Sequence, residues 1–394
     1  MNNLRAYATT VLSAAAALTS LTTSAQDQTA TSATGLEEVL VTAQRRSESL
    51  QETPIAVTAL STEALVSRNV LTTQDLMRVT PGLQVSTQTA GNSGGSATFF
   101  LRGLGQQRSG NGSEPAVGIY IDDFYFPSLQ GSAFSILDVE QVEVLRGPQG
   151  TLFGRNTIGG AIRYTTHKPS SDFEGNVVGT FGSLGRTDVS GVLNVPMGDK
   201  AAARLTLGRL ETDGYVKPDT GGDDTGGSET QMARLQLRLT PTDALTIDIG
   251  GQYTKQDLDG FAWVQPGPIA PRPGTLPFVW NSIPPLGGVN PYDSRYESRC
   301  DYCQAGTRLR ESATSKVSSA NATVAWDISA NLKLKSLTGW IDVDSISYSD
   351  LDGSPLPIFE PTAIASDRAL SQEFQLSGSS FNDSLVWLDR QSVV

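Results

Sequence analysis

The chain has 394 residues, of which 18% are charged and 38% hydrophobic; that balance excludes an acid-rich disordered tail and an apolar helical membrane protein. A formal charge of −12 excludes the basic face that nucleic-acid binding needs. One histidine, His167, and two cysteines, Cys300 and Cys303, leave little room for histidine-based hydrolysis or a four-ligand zinc site.

Residues 1–25 read as a secretory signal: Arg5 is the positive start, Val11 to Leu18 the apolar core, and Thr23-Ser24-Ala25 the small-residue cleavage site. That core is too short to span a bilayer as a helix, and no later stretch holds 18 consecutive apolar residues. A membrane role therefore requires a β-barrel. Residues 26–52 form a small, polar linker carrying the β-prone run Glu38, Val39, Leu40, Val41, Thr42 and Ala43. That run reads equally as a strand for another protein's sheet edge and as an edge strand of the next domain.

Residues 53–170 read as a compact mixed domain. A strand is expected at 54–60 and a short helix at 61–67 opened by Ser61. A second helix is capped by Thr72 and Asp75 and ended by Pro81-Gly82. Further strands are expected at 83–85, 99–102, 117–121, 142–145 and 161–165, between Gly- and Ser-rich loops. Gly103-Leu104-Gly105 lacks the third glycine and the long helix of a dinucleotide loop.

From residue 171 polar and apolar residues alternate. Arg234, Gln236 and Arg238 interleave with Leu235, Leu237 and Leu239; Thr246 and Asp248 interleave with Leu245, Ile247 and Ile249. This is the pattern of a transmembrane β-barrel, although a soluble sandwich shares the period. Nine strands are expected to begin near Glu174, Arg186, Ala202, Gln231, Leu245, Ser318, Leu332, Ala369 and Ser384. Short turns alternate with long loops at 211–230, 257–316 and 345–367, which places the long loops outside the cell. Trp326 and Trp340 are expected near strand ends, at the membrane interfaces.

Val142-Glu143-Val144-Leu145-Arg146-Gly147-Pro148-Gln149-Gly150-Thr151-Leu152-Phe153-Gly154, continuing into Gly159-Gly160-Ala161-Ile162, strongly resembles the plug domain of TonB-dependent outer-membrane receptors. Leu101-Arg102-Gly103 and Tyr120-Ile121-Asp122-Asp123 resemble further landmarks of that domain, in the expected order. The resemblance implies an α+β plug domain followed by an antiparallel transmembrane β-barrel in the outer membrane, monomeric and without a cofactor. It implies that residues 38–43 are the TonB box, contacting the TonB complex of the inner membrane. Arg102 and Arg146 then bond to barrel-wall carboxylates and lock the plug. The implied activity is uptake of a scarce nutrient, a ferric siderophore foremost, bound between the outer loops and the plug loops near 86–98, 106–115 and 124–132, the last including Phe126.

The longest loop carries Phe261, Trp263, Phe278, Trp280, Tyr292 and Tyr296, which either stack on a ligand or pack the loop on itself. Cys300 and Cys303 are expected to form a small disulfide in an oxidising exterior rather than a metal or redox site. Plugged outer-membrane transporters have about 22 strands, so nine strands and a terminal Val394 in place of an aromatic residue imply a truncated or frame-shifted copy. The second reading is then a scavenger or a TonB decoy that does not transport. No clustered catalytic set points to an enzyme.

Overall fold

The computed structural model describes residues 40–41, 48–51, 53–87, 95–106, 114–128, 131–133, 135–218, 223–260, 272–284, 287–288, 290–298, 303–304, 311–352, 354–381 and 384–393. A two-stranded ribbon comes first, β1 (Leu40–Val41) antiparallel to β2 (Glu48–Ser49). The plug follows. Its strands are β3 (Ala56–Ser61), β4 (Leu83–Ser86), β5 (Thr98–Leu101), β6 (Leu104–Gly105), β7 (Val117–Ile121), β8 (Phe124–Phe126), β9 (Val139–Arg146) and β10 (Gly160–Thr166).

The helical pieces are brief. Helix α1 (Thr62–Ser67) starts at Ser61, whose side chain accepts from the Ala64 amide. A 3₁₀ turn over Thr73–Arg78 is closed by the Thr72–Asp75 capping box. Helix α2 (Gly150–Phe153) follows the Arg146 turn. The main plug sheet has the order β3-β9-β10-β7-β8, with only the β7–β10 pair parallel, and β4-β5-β6 form a second small sheet. Leu60, Leu76, Leu101, Ile119, Val142 and Ile162 are buried between these layers and supply the core.

Nine antiparallel strands then run in sequence: β11 (Glu174–Phe181), β12 (Thr187–Pro196), β13 (Ala201–Thr212), β15 (Gly227–Thr242), β16 (Leu245–Asp259), β18 (Ser312–Ser329), β19 (Leu332–Tyr348), β20 (Thr362–Ser380) and β21 (Leu385–Val393). Between long loops, β14 (Lys217–Pro218) pairs in parallel with β17 (Cys303–Gln304). Helix α3 (Leu276–Ser282) lies in the longest loop.

The alternation expected from the sequence places charge inward and hydrocarbon outward. Arg234 and Gln236 are buried, while Leu235 between them is 58% exposed. Glu373 and Gln375 are buried, while Phe374 is 52% exposed. The outward side chains meet lipid and the inward ones meet the plug.

Three strands start several residues earlier than their alternation indicates, β15 at Gly227 rather than Gln231 among them. β18 begins at Ser312 rather than Ser318, and β20 at Thr362 rather than Ala369. A strand needs about 9–11 residues to cross the hydrocarbon layer, whereas β20 has 19. Over the added length of β18 the buried side chains are Ala313, Ser315 and Val317 and the more exposed ones are Ser312, Thr314 and Lys316, so the polar-in, apolar-out sense of the pattern is lost. Trp326 stands near the end of β18 and is exposed, but Trp340 sits in the middle of β19, not at a strand end.

Gly160 shows how tightly the plug is built. It has φ +145, and a Cβ there would stand 2.1 Å from the Leu145 carbonyl oxygen of the neighbouring strand. Backbone of that kind costs about 1–3 kcal/mol for a residue with a side chain. Gly160→Ala is expected to lower the plug's stability by more than about 2 kcal/mol through strain and clash together. A reduced urea midpoint for hydrogen-exchange protection of the β9 and β10 amides checks this; unchanged protection contradicts it.

Candidate functional site

Three places bear on function: the ribbon at the start of the plug, the seam between plug and wall, and a cavity at the long-loop end. At the ribbon, Val41 is fully buried in a cluster with Tyr120, Leu145, Phe153 and Ala161. Leu40 is 54% exposed, and its carbonyl accepts from Gln141 Nε2 at 2.9 Å. The expected box strand therefore lies against the plug's own surface. Glu38, Val39, Thr42 and Ala43 fall outside the described residues.

The seam is organised by the hairpin between β7 and β8. Its two connecting residues, Asp122 and Asp123, both have positive φ, 52° and 68°, which a two-residue turn of this twist requires. Aspartate tolerates that geometry and brings a carboxylate to each side. Asp122 accepts from the Thr166 amide and hydroxyl and pairs with Lys168 at 2.7 Å. Asp123 pairs with Arg163 and with Lys335 of the wall strand β19, each at 2.6 Å.

Arg163 also bonds to buried Glu143 and lies 5.8 Å over the Phe153 ring. Burial alone would lower the Arg163 pKa, but the two carboxylates outweigh it and hold it above the ordinary value. A linked set of residues thus runs from the cluster of Val41 and Phe153 through Arg163 and Asp123 to the wall.

A second anchor lies at Leu137 and Asp138, just before β9. Arg204 of β13 grips the Asp138 carboxylate with Nε at 2.8 Å and Nη2 at 2.6 Å, and the Thr206 hydroxyl donates to it at 2.6 Å. Arg234 of β15 donates to the Leu137 carbonyl at 3.1 Å, and Gln236 donates to the Thr166 hydroxyl at 2.8 Å. Past the plug, Asn194 of β12 fastens the backbone of Ser170.

The expected lock residues are placed differently. Arg102 is exposed on the turn after β5, at φ 53. Arg146 is half-buried, and its Nε has no hydrogen-bond partner. Among the described residues neither forms an ion pair; Asp123 and Asp138 make the connections to the wall instead. Each stands beside or within a turn whose aspartate looks like ordinary turn chemistry in the sequence, and the only signal was the Asp122-Asp123 landmark.

The aromatic candidates are also redistributed. Phe126 is 3% exposed in the plug core, because β8 turns it inward beside Ile119, so it offers no stacking face. Trp280 Nε1 donates to the Asn290 carbonyl, and the Tyr292 hydroxyl donates to the Asp352 carbonyl, each at 2.8 Å. Tyr292 and Tyr296 stack with centroids 5.9 Å apart. These three pack the loop on itself, and burial pushes the Tyr292 hydroxyl up to about 12. Phe261, Trp263 and Cys300 lie outside the described residues, as does the Cys303 side chain, so the expected disulfide does too.

The cavity of about 460 Å³ at the long-loop end lies between the Thr73–Arg78 turn and the outer ends of β12, β13, β15 and β16. Its walls carry Asp75 and Arg78 from the plug and Arg186, Asp188, Thr230 and Gln256 from the sheet. That volume suits a small-molecule ligand.

Comparison with known proteins agrees with this architecture. Residues 49–161 match the family described as TonB-dependent Receptor Plug Domain. The chain is 33% identical over 210 residues to the pesticin receptor of Yersinia pestis, covering 52% of this chain and 30% of that protein. It is 24% identical over 230 residues to the vitamin B12 transporter BtuB of Vibrio vulnificus, covering 57% and 36%. In fold it is similar to the ferric yersiniabactin uptake receptor FyuA from Yersinia pestis, with TM-score 0.65, 22% identity and coverage of 83% and 46%. It is likewise similar to the ferripyoverdine receptor of Pseudomonas aeruginosa, with TM-score 0.66, 16% identity and coverage of 87% and 42%. The matched segments span about a third of these curated relatives and under half of these solved structures.

Asp138 offers a direct test of the seam. Burial alone raises its pKa, but the hydrogen bonds from Arg204 and Thr206 and the Arg204 charge outweigh that and hold the carboxyl below its ordinary range. Its stabilising contribution is therefore complete above about pH 4 and is lost as pH falls through the lowered folded-state value. Breaking a buried pair costs about 3–5 kcal/mol. Asp138→Asn keeps the left-handed backbone at φ 53 yet is expected to cost stability of that order at pH 7. The variant should also lose part of the acid dependence of the urea midpoint; an acid profile parallel to that of the unsubstituted chain contradicts this.

Proposed function

The chain carries a TonB-dependent receptor plug domain on nine strands of outer-membrane barrel sheet, and from that premise we propose that it serves energy-coupled uptake of a scarce nutrient, a ferric siderophore foremost. The observation that carries this reading is the continuity between the ribbon strand and the wall. Val41 is buried in one cluster with Phe153, Arg163 rests over the Phe153 ring, and Asp123 joins Arg163 to Lys335.

In this reading Leu40 and Val41 form the strand that TonB captures by sheet addition, in which backbone hydrogen bonds supply the affinity. Capture withdraws Val41 from its pocket. The cluster that holds Phe153 then loses a member and the support under Arg163 weakens. The Asp123 carboxylate, shared between Arg163 and Lys335, is where the loosening reaches the wall. The cavity above the Thr73–Arg78 turn holds the ligand on the outer side, and a plug displaced from the wall opens its path inward. The vitamin B12 transporter and the ferric yersiniabactin receptor among the similar proteins support uptake of a small, scarce ligand as the class.

Leu40→Pro tests the reading without emptying the Val41 pocket, since the Leu40 side chain is exposed. Proline removes a donor that strand addition uses. Binding of the chain, in detergent micelles, to the purified periplasmic domain of TonB is expected to weaken at least tenfold, with the thermal melt unchanged. Undiminished binding by the variant sinks the proposal.

A further inference from the structure

The cavity at the long-loop end holds its charges in pairs. On the plug side, Arg78 Nη2 lies 2.8 Å from Asp75 Oδ1 and also donates to the Asn69 carbonyl. On the wall side, Arg186 grips Asp188 with Nε at 2.7 Å and Nη2 at 2.6 Å. The rest of the lining includes Glu211, which pairs with Arg209 at 2.9 Å, and the hydroxyl and amide groups of Thr87, Thr212, Ser228, Thr230 and Gln256. An anion entering here meets two arginines already engaged and three carboxylates, Asp75, Asp188 and Glu211, that repel it. The chain's formal charge of −12 adds long-range repulsion at the approach. An uncharged ligand rich in oxygen meets donors and acceptors on both sides and displaces no ion pair.

We infer that this cavity selects an electrically neutral, oxygen-rich ligand, and that Asp188, by holding Arg186, is the specificity-determining residue against anions. The inference rests on the uptake reading for the location of the site and adds the class of ligand. Two sources present that chemistry, a ferric trihydroxamate chelate and a neutral oligosaccharide, and the test separates them.

Calorimetric titration of the full chain in detergent micelles uses three probes: a neutral ferric trihydroxamate, maltotriose, and the triply negative ferric tris-catecholate. One neutral probe is expected to bind saturably, and which one identifies the source. The catecholate is expected to bind at least tenfold more weakly. Asp188→Asn should release Arg186 and strengthen catecholate binding about tenfold, with the melt unchanged because the pair is partly exposed. Arg186→Gln alone should give no gain, and adding it to Asp188→Asn should abolish the gain. Catecholate binding to the unsubstituted chain as tight as that of the neutral probes, no gain in Asp188→Asn, or no binding by either neutral probe overturns the inference. The uptake reading fails separately, through undiminished TonB binding by Leu40→Pro.

Discussion

The grip of Arg204 and Thr206 on the Asp138 carboxylate is the interaction on which the rest of the arrangement depends. A barrel wall that turns polar groups inward must find partners for them, because buried charge without a partner is costly. Arg204, Thr206, Arg234 and Gln236 all lie buried on the inner face of β13 and β15. Their partners are plug atoms: the Asp138 carboxylate, the Leu137 carbonyl and the Thr166 hydroxyl. The plug is therefore part of the wall's own hydrogen bonding. Close approach is made possible by small wall residues; a Cβ at Gly208 would stand 2.4 Å from Leu137, and one at Gly339 would stand 1.8 Å from Phe124.

The same economy appears in the Asp122-Asp123 turn. Strand twist demands two left-handed residues there, and aspartate meets that demand while supplying two carboxylates that point in different directions. Asp122 holds the plug's own end at Thr166 and Lys168. Asp123 reaches Lys335 on the wall and Arg163 in the plug interior. Because Arg163 lies over Phe153, and Phe153 belongs to the pocket of Val41, the ribbon and the wall share one set of contacts.

How much of this was legible in the sequence depended on whether the signal was local. The nine strands and their order could be read because polar and apolar residues alternate wherever one face meets lipid and the other meets the plug. The Ser61 start of α1 and the Thr72–Asp75 cap could be read because both depend on neighbours within one turn. The strand start at Ser312 could not, because over the first residues of β18 the buried side chains are small or apolar and the others polar, which reverses the pattern being read. Arg102 and Arg146 drew attention through their motif, yet the wall carboxylates they were expected to meet are not brought to them among the described residues.

The mixed plug and the alternating strands were thus legible in the sequence alone, since each follows from composition or from a period of two or three to four residues. Only the tertiary structure decided which polar residues meet. Asp138 and Arg204 are far apart in the chain, as are Asp123 and Lys335, and no local pattern encodes such pairs. Phe126 makes the same point from the other side: a loop-edge aromatic by sequence, it is core by structure because β8 turns it beneath the sheet. Pairing across long separations is fixed by which strands become neighbours, and that is settled when the plug meets the wall.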